Sequence, residues 1–102
     1  MEQRDSSGPV RLTAIVSGYV QGVGFRWSTR ALAMSLKLTG LAENLPNGDV
    51  RVVVEGPEAD CATVLAWLHG AGPRTVRRPG RVEFVDARWD PYEGSFRSFS
   101  CF

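Results

Sequence analysis

The residues from Ser17 to Arg26, SGYVQGVGFR, combine three glycines, no acidic side chain and a terminal arginine. Glycine permits φ > 0 and lets backbone approach a ligand closely. Successive N–H groups in such a turn converge into a nest of positive potential. A helix candidate follows from Trp27, and a helix start adds unpaired N–H donors and the positive end of a dipole. The Arg26 guanidinium supplies a forked donor suited to phosphate or carboxylate. Each part favours an anion, and phosphate fits best. By itself the stretch also reads as a tight strand-to-helix turn with a solvent-facing arginine. It is not a Walker A loop, because no Gly-Lys-Ser/Thr follows. It is not a dinucleotide fingerprint either, because Trp27 stands where a third glycine belongs.

Few other residues offer chemistry. The only histidine, His69, sits beside Gly70 at the end of a helix candidate, a place for capping the last turn. Cys61 and Cys101 are far apart and form no CxxC spacing, so a metal site is not expected. Residues 71–80 form a loop carrying Arg74, Arg77 and Arg78. Such a loop either holds an anionic partner or is simply solvated.

The chain of 102 residues is expected to form one domain, residues 10–102, behind a flexible leader, residues 1–9. A net charge of +1 argues against nucleic acid as a partner, and no 18-residue apolar run is present to span a membrane. The polar N-terminus lacks the apolar stretch of a secretory signal. The expectation is a cytoplasmic protein with reduced thiols.

The elements that must position Arg26 are legible from periodicity. Val10, Leu12, Ala14 and Val16 alternate with Arg11, Thr13 and Ile15, predicting a strand over 10–16 with one buried face. Residues 27–38 predict a helix whose Thr29, Leu32, Ala33 and Leu36 form a core stripe, ended by Thr39-Gly40. Strands are expected over 41–45 and 50–55 around Asn47-Gly48, a type I′ hairpin signal. Gly56-Pro57-Glu58 predicts a second helix with Pro57 in its first position and Cys61, Val64, Leu65 and Leu68 facing the core. A strand over 81–90, with Val85, Ala87 and Trp89 on one face, is expected to hairpin into a last strand over 95–102 of ambiguous register. The order βαββαβ predicts an α+β, ferredoxin-like sandwich. It has an antiparallel sheet of four to five strands with both helices on one face.

The chain resembles the acylphosphatase family from about Val10 onward. That family's first motif reads aliphatic-x-Gly-x-Val-Gln-Gly-Val-x-Phe-Arg, and residues 16–26 meet all eight specified positions. Its second motif is met from Gly40 to Val50 through Gly40, Asn44, Gly48 and Val50, with Gly56 following. Leu41 replaces a usual aromatic, Glu43 a usual basic or polar residue, and Lys37 a frequent glycine at the helix end. The resemblance implies metal-free hydrolysis of acyl phosphates to a carboxylate and inorganic phosphate. It implies a phosphate cradle made by Val20, Gln21, Gly22, Val23, Gly24, Phe25 and Arg26, with Arg26 on the phosphoryl oxygens and Asn44 orienting water. Taken alone, Asn44 reads as a turn residue before Leu45-Pro46-Asn47-Gly48. Glu43 is expected to face away from Asn44, because strand neighbours alternate.

The expected protein is a monomer that takes a small acyl phosphate and uses no cofactor, nucleic acid or membrane. Two other functions share the fold. One is a catalytically weak module binding phosphate or carbamoyl phosphate. The other is an RNA-binding domain, against which the 50–55 strand lacks exposed aromatics.

Overall fold

The computed structural model describes residues 8–102, so the expected leader lies outside the described residues as far as position 7. In chain order the elements are β1 (Pro9–Tyr19), α1 (Phe25–Ser35), β2 (Thr39–Asn44), β3 (Val50–Pro57), α2 (Glu58–Leu68), β4 (Arg81–Pro91) and β5 (Phe99–Cys101). One sheet runs β4-β1-β3-β2-β5. The first four strands pair antiparallel and β5 pairs parallel with β2. This is the expected ferredoxin-like sandwich with a fifth strand that makes the sheet mixed.

The core lies between the sheet and the helices. Leu12, Ala14 and Val16 of β1 and Val50, Val52 and Val54 of β3 are all buried there, as the alternation predicts. Against them pack Thr29, Leu32 and Ala33 of α1 and Cys61, Val64 and Leu68 of α2. Leu36 and Leu65, expected in those stripes, are half-buried. Trp67 is the larger surprise. It is 2 % exposed, its ring centroid lies 5.9 Å from that of Phe25, and its indole N–H donates to the Val76 carbonyl at 2.8 Å. That bond satisfies the one polar atom of an otherwise apolar side chain and pins the loop after α2.

The expected boundaries change where backbone hydrogen bonds, not side-chain periodicity, decide. Helix α1 starts at Phe25 and stops at Ser35. Lys37 then adopts φ 59, Leu38 N–H reaches the Ala33 carbonyl at 2.9 Å, and Lys37 N–H reaches that of Met34 at 3.0 Å. These bonds form a Schellman cap with lysine in the left-handed position usually held by glycine. Thr39 and Gly40 therefore open β2 and do not end the helix. The 45–49 turn is not type I′, since Asn47 does not take positive φ and Gly48 does, at 98°. Gly48 N–H donates to Leu45 O and Leu45 N–H to Asp49 O, the three-residue hairpin with a left-handed last residue. Pro57 precedes α2 as its N-cap, still paired with Pro9, and is not its first helical residue.

The last strand needs the largest correction. It does not hairpin onto β4; β4 and β5 lie at opposite edges of the sheet. The connection crosses the face away from the helices and is held by Glu55, which is 1 % exposed. The Glu55 carboxylate accepts from Arg11 Nε at 2.9 Å, Glu93 N–H at 2.9 Å and Gly94 N–H at 3.2 Å. Arg11 also donates to Ser95 Oγ and lies over the Phe96 ring. Burial pushes the Glu55 carboxyl up, but the Glu93 amide, Arg11 and the Gly94 amide outweigh it and hold it below its ordinary value.

Candidate active site

Three segments meet at one end of the sheet: the 20–24 turn, the end of β2, and the tail after β5. Val20 is buried and anchors the turn, while Gly22 and Gly24 are exposed at φ 76 and 86. A Cβ at either glycine would meet nothing within 4 Å, so both are required by backbone conformation and the space above them is open. Gly24 is the N-cap of α1, with no side-chain cap and no acidic residue in the first turn. The first intrahelical bond is Ser28 N–H to Gly24 O at 3.0 Å. The amides of Phe25, Arg26 and Trp27 are thus the helix's free donors, beside a turn whose chain direction suits an anion.

Gln21 does more than lend its amide. Its side-chain NH₂ donates to the carbonyls of Leu45 and Asp49, both at 2.8 Å. The turn is thereby tied to the β2–β3 hairpin, which carries Asn44 at its near end. Asn47 and Asp49 close the hairpin locally, with Asp49 N–H on Asn47 Oδ1 at 3.0 Å.

Arg26 and Asn44 meet at a third group. Arg26 Nη1 donates to the main-chain oxygen of Phe102 at 2.8 Å, and Asn44 N–H donates to the same oxygen at 3.0 Å. Phe102 N–H in turn donates to Ala42 O at 2.8 Å, continuing the β2–β5 ladder. One main-chain oxygen therefore fixes the guanidinium relative to β2. The Asn44 side chain is exposed and makes no hydrogen bond among the described residues, so its amide is available to a ligand.

The residues expected from the sequence, Gln21, Arg26 and Asn44, are brought together here, but the Gln21 side-chain clamp and the Phe102 oxygen were not expected. The clamp's only signal was a polar residue inside an otherwise glycine and valine turn. The Phe102 contact had none, because the tail was expected on the opposite edge.

The acidic side chain next to Asn44 is turned away from it. Glu43 pairs with Arg51 at 3.5 Å on the face away from the helices, opposite to Asn44 as strand alternation requires. Arg30 adds a second guanidinium one turn into α1, over the Trp27 ring at 5.7 Å. Cys101 Sγ lies 3.4 Å from the Arg26 carbonyl, and burial pushes its thiol up despite Arg26 and Arg30. Cys61 is pushed to about 12 by burial, with Asp60, Glu55 and Glu58 adding to it, so that thiol is inert. Among the described residues no three His, Cys, Asp or Glu side chains come together as metal ligands. No helix there is long and apolar enough to cross a membrane.

Comparison with known proteins places these residues in a defined group. Residues 12–101 match the family model described as acylphosphatase. A Thermobifida fusca protein named acylphosphatase is 52% identical over 90 residues, which is 88% of this chain and 93% of that one. One from Acidothermus cellulolyticus, of the same name, is 53% identical over 91 residues, covering 89% and 85%. The solved structure of an acylphosphatase from Coxiella burnetii superposes with a TM-score of 0.79 at 32% identity, over 93% of this chain and 94% of that one.

Proposed function

The chain belongs to the acylphosphatase family and is an acyl phosphate hydrolase; on that premise we propose that Arg26, Asn44 and the 20–26 backbone carry the reaction. The phosphoryl group rests on the amides of residues 20–26, with the Arg26 fork across its equatorial oxygens. Asn44 directs a water through its side-chain carbonyl oxygen and faces the phosphoryl group with its NH₂. Water oxygen bonds to phosphorus as the bond from phosphorus to the acyl oxygen breaks. The electron pair leaves on the carboxylate, and both water protons end on the phosphate, giving dihydrogen phosphate.

The leaving carboxylate is a weak base, so no side chain has to protonate it. What remains is positioning and charge stabilisation, which a guanidinium and oriented amides supply. No histidine, general acid or metal is called for in this reading. The observation that carries it is the shared main-chain oxygen of Phe102, which holds Arg26 Nη1 and Asn44 N–H at 2.8 and 3.0 Å beside the turn.

The protein is read as a cytoplasmic monomer, consistent with the two free cysteines. The alternative of a phosphate-binding module without hydrolysis is not favoured, given relatives at about 50% identity over most of the chain.

The test is acetyl phosphate hydrolysis in EDTA by wild type, Arg26→Lys and Asn44→Ala. Arg26→Lys keeps the charge and loses the fork. Each variant is expected to lose about a hundredfold or more in kcat. Undiminished turnover in either one removes that residue from the mechanism.

A further inference from the structure

The loop between α2 and β4 is not used by the mechanism above, yet it is the most cationic feature of the fold. It encloses an open cavity of about 670 Å³, lined by Trp67, Gly70, Gly72, Arg74, Arg77 and Arg78 among others, with no acidic residue in the lining. Two contacts make the loop a built structure. Trp67 donates its indole N–H to Val76 O at 2.8 Å, and Arg78 Nη1 donates to Leu68 O at 2.6 Å, at the C-terminal end of α2. The backbone of Arg77 is therefore held on both sides, by Val76 and by Arg78. The side chains of Arg74 and Arg77 are exposed and make no ion pair or hydrogen bond among the described residues. Three arginines on the sheet are paired instead, Arg11 with Glu55, Arg51 with Glu43, and Arg88 with Asp90.

The loop also returns to the cradle. Gly80 packs directly on the Tyr19 carbonyl, and a Cβ there would lie 3.0 Å from Val23 Cγ2. On the other side, Trp67 stacks near Phe25, the residue before Arg26. Guanidinium groups left unpaired around one cavity repel each other and are relieved by an anion.

We propose that the cavity framed by Trp67, Arg74, Arg77 and Arg78 is a second anion subsite, taking a phosphate or carboxylate group alongside the catalytic phosphate. Arg74 and Arg77 contact the anion, and Arg78 and Trp67 position the loop. The anion has two sources with the same chemistry: the far end of an acyl phosphate that carries a second charged group, or a separate small anion such as inorganic phosphate. This goes beyond the catalytic reading and stands or falls on binding alone.

The test is a titration of the full, ¹⁵N-labelled chain with inorganic phosphate, following the Trp67 indole N–H and the amides of residues 70–78. The amides of Gly22 and Gly24 report the cradle in the same spectra. Saturable shifts in the loop are expected, and Arg74→Gln/Arg77→Gln should weaken them by about tenfold or more while the cradle shifts persist. Arg26→Gln should do the reverse, so missing cradle shifts in wild type count against the catalytic reading and not against the loop. A second pair of probes separates the sources. If 4-phosphonobutanoate binds more tightly than butylphosphonate, with one molecule shifting both regions, the second charge belongs to the substrate. If the two phosphonates are equal while inorganic phosphate saturates both regions at two per chain, the anion is separate. Either result supports the subsite. Loop shifts that are absent, do not saturate, or are unchanged in the double variant overturn it.

Discussion

Replacing Gln21 with alanine separates the phosphate turn from the hairpin without touching Arg26 or Asn44. The side chain makes two hydrogen bonds of 2.8 Å, to Leu45 O and Asp49 O. At about 1 kcal/mol each, their net loss is at most about 2 kcal/mol. Neither carbonyl is orphaned, because Leu45 O still accepts from Gly48 N–H and Asp49 O from Leu45 N–H. The stability loss is therefore expected at about 1–2 kcal/mol, small enough for a domain of this size to stay folded. Activity should suffer more, because a displacement of about 1 Å in a reacting group can cost about a hundredfold. Urea unfolding gives the first quantity, and kcat/KM for acetyl phosphate on the folded variant gives the second. A stability loss of that size with unchanged kcat/KM would refute the positioning role and leave Gln21 as a tether only.

Two further outcomes concern the scaffold. Lys37→Gly is expected to raise stability by about 1 kcal/mol in thermal or urea unfolding, since a left-handed cap penalises a side chain. No gain would mean that the cap is not strained. Glu55→Gln should destabilise by about 3 kcal/mol at pH 7, because it leaves the part-buried Arg11 with only the exposed Glu93 carboxylate as an acidic partner. The Glu55 carboxyl titrates lower folded than unfolded, so its contribution is full above the unfolded value and is lost as pH falls through the folded one. The gap between wild type and Glu55→Gln should therefore close in acid, and a gap that widens there contradicts the assignment.

Periodicity carried the layers but not the ends of the elements. The alternation in β1 and β3 marked the residues that face the helices, but not Val53, which is buried on the opposite face. The end of α1 was misread because Lys37 takes a conformation that glycine usually signals, so the local code was absent. The hairpin type was misread because Asn47-Gly48 is compatible with two turns. Pairing across Leu45 and Asp49 selects the three-residue one. Trp67 escaped because the stripe was drawn through Cys61, Val64, Leu65 and Leu68, and the partner that satisfies its indole, Val76, lies in an irregular loop. The tail was placed on the wrong edge because nearest-neighbour pairing was assumed after Pro91-Tyr92-Glu93-Gly94. The determinant was Glu55, a buried carboxylate on the face of β3 turned away from the helices, and periodicity alone does not say what covers that face. That misplacement also hid the Phe102 oxygen. The glycine turn and Asn44 each read as ordinary turn residues when taken alone; what singled them out with Arg26 was the match to the two family motifs, and the fold brings all three to one end of the sheet.

The central claim is that water attacks phosphorus, held by Arg26 and the 20–26 amides, and not the acyl carbon. Hydrolysis of acetyl phosphate in ¹⁸O-enriched water, with both products analysed by mass spectrometry, tests it directly. Attack at phosphorus predicts one labelled oxygen in inorganic phosphate and none in acetate. Label in acetate would place the attack on the carbonyl carbon, and Arg26 and Asn44 could not then hold the phosphoryl group and direct the water at it.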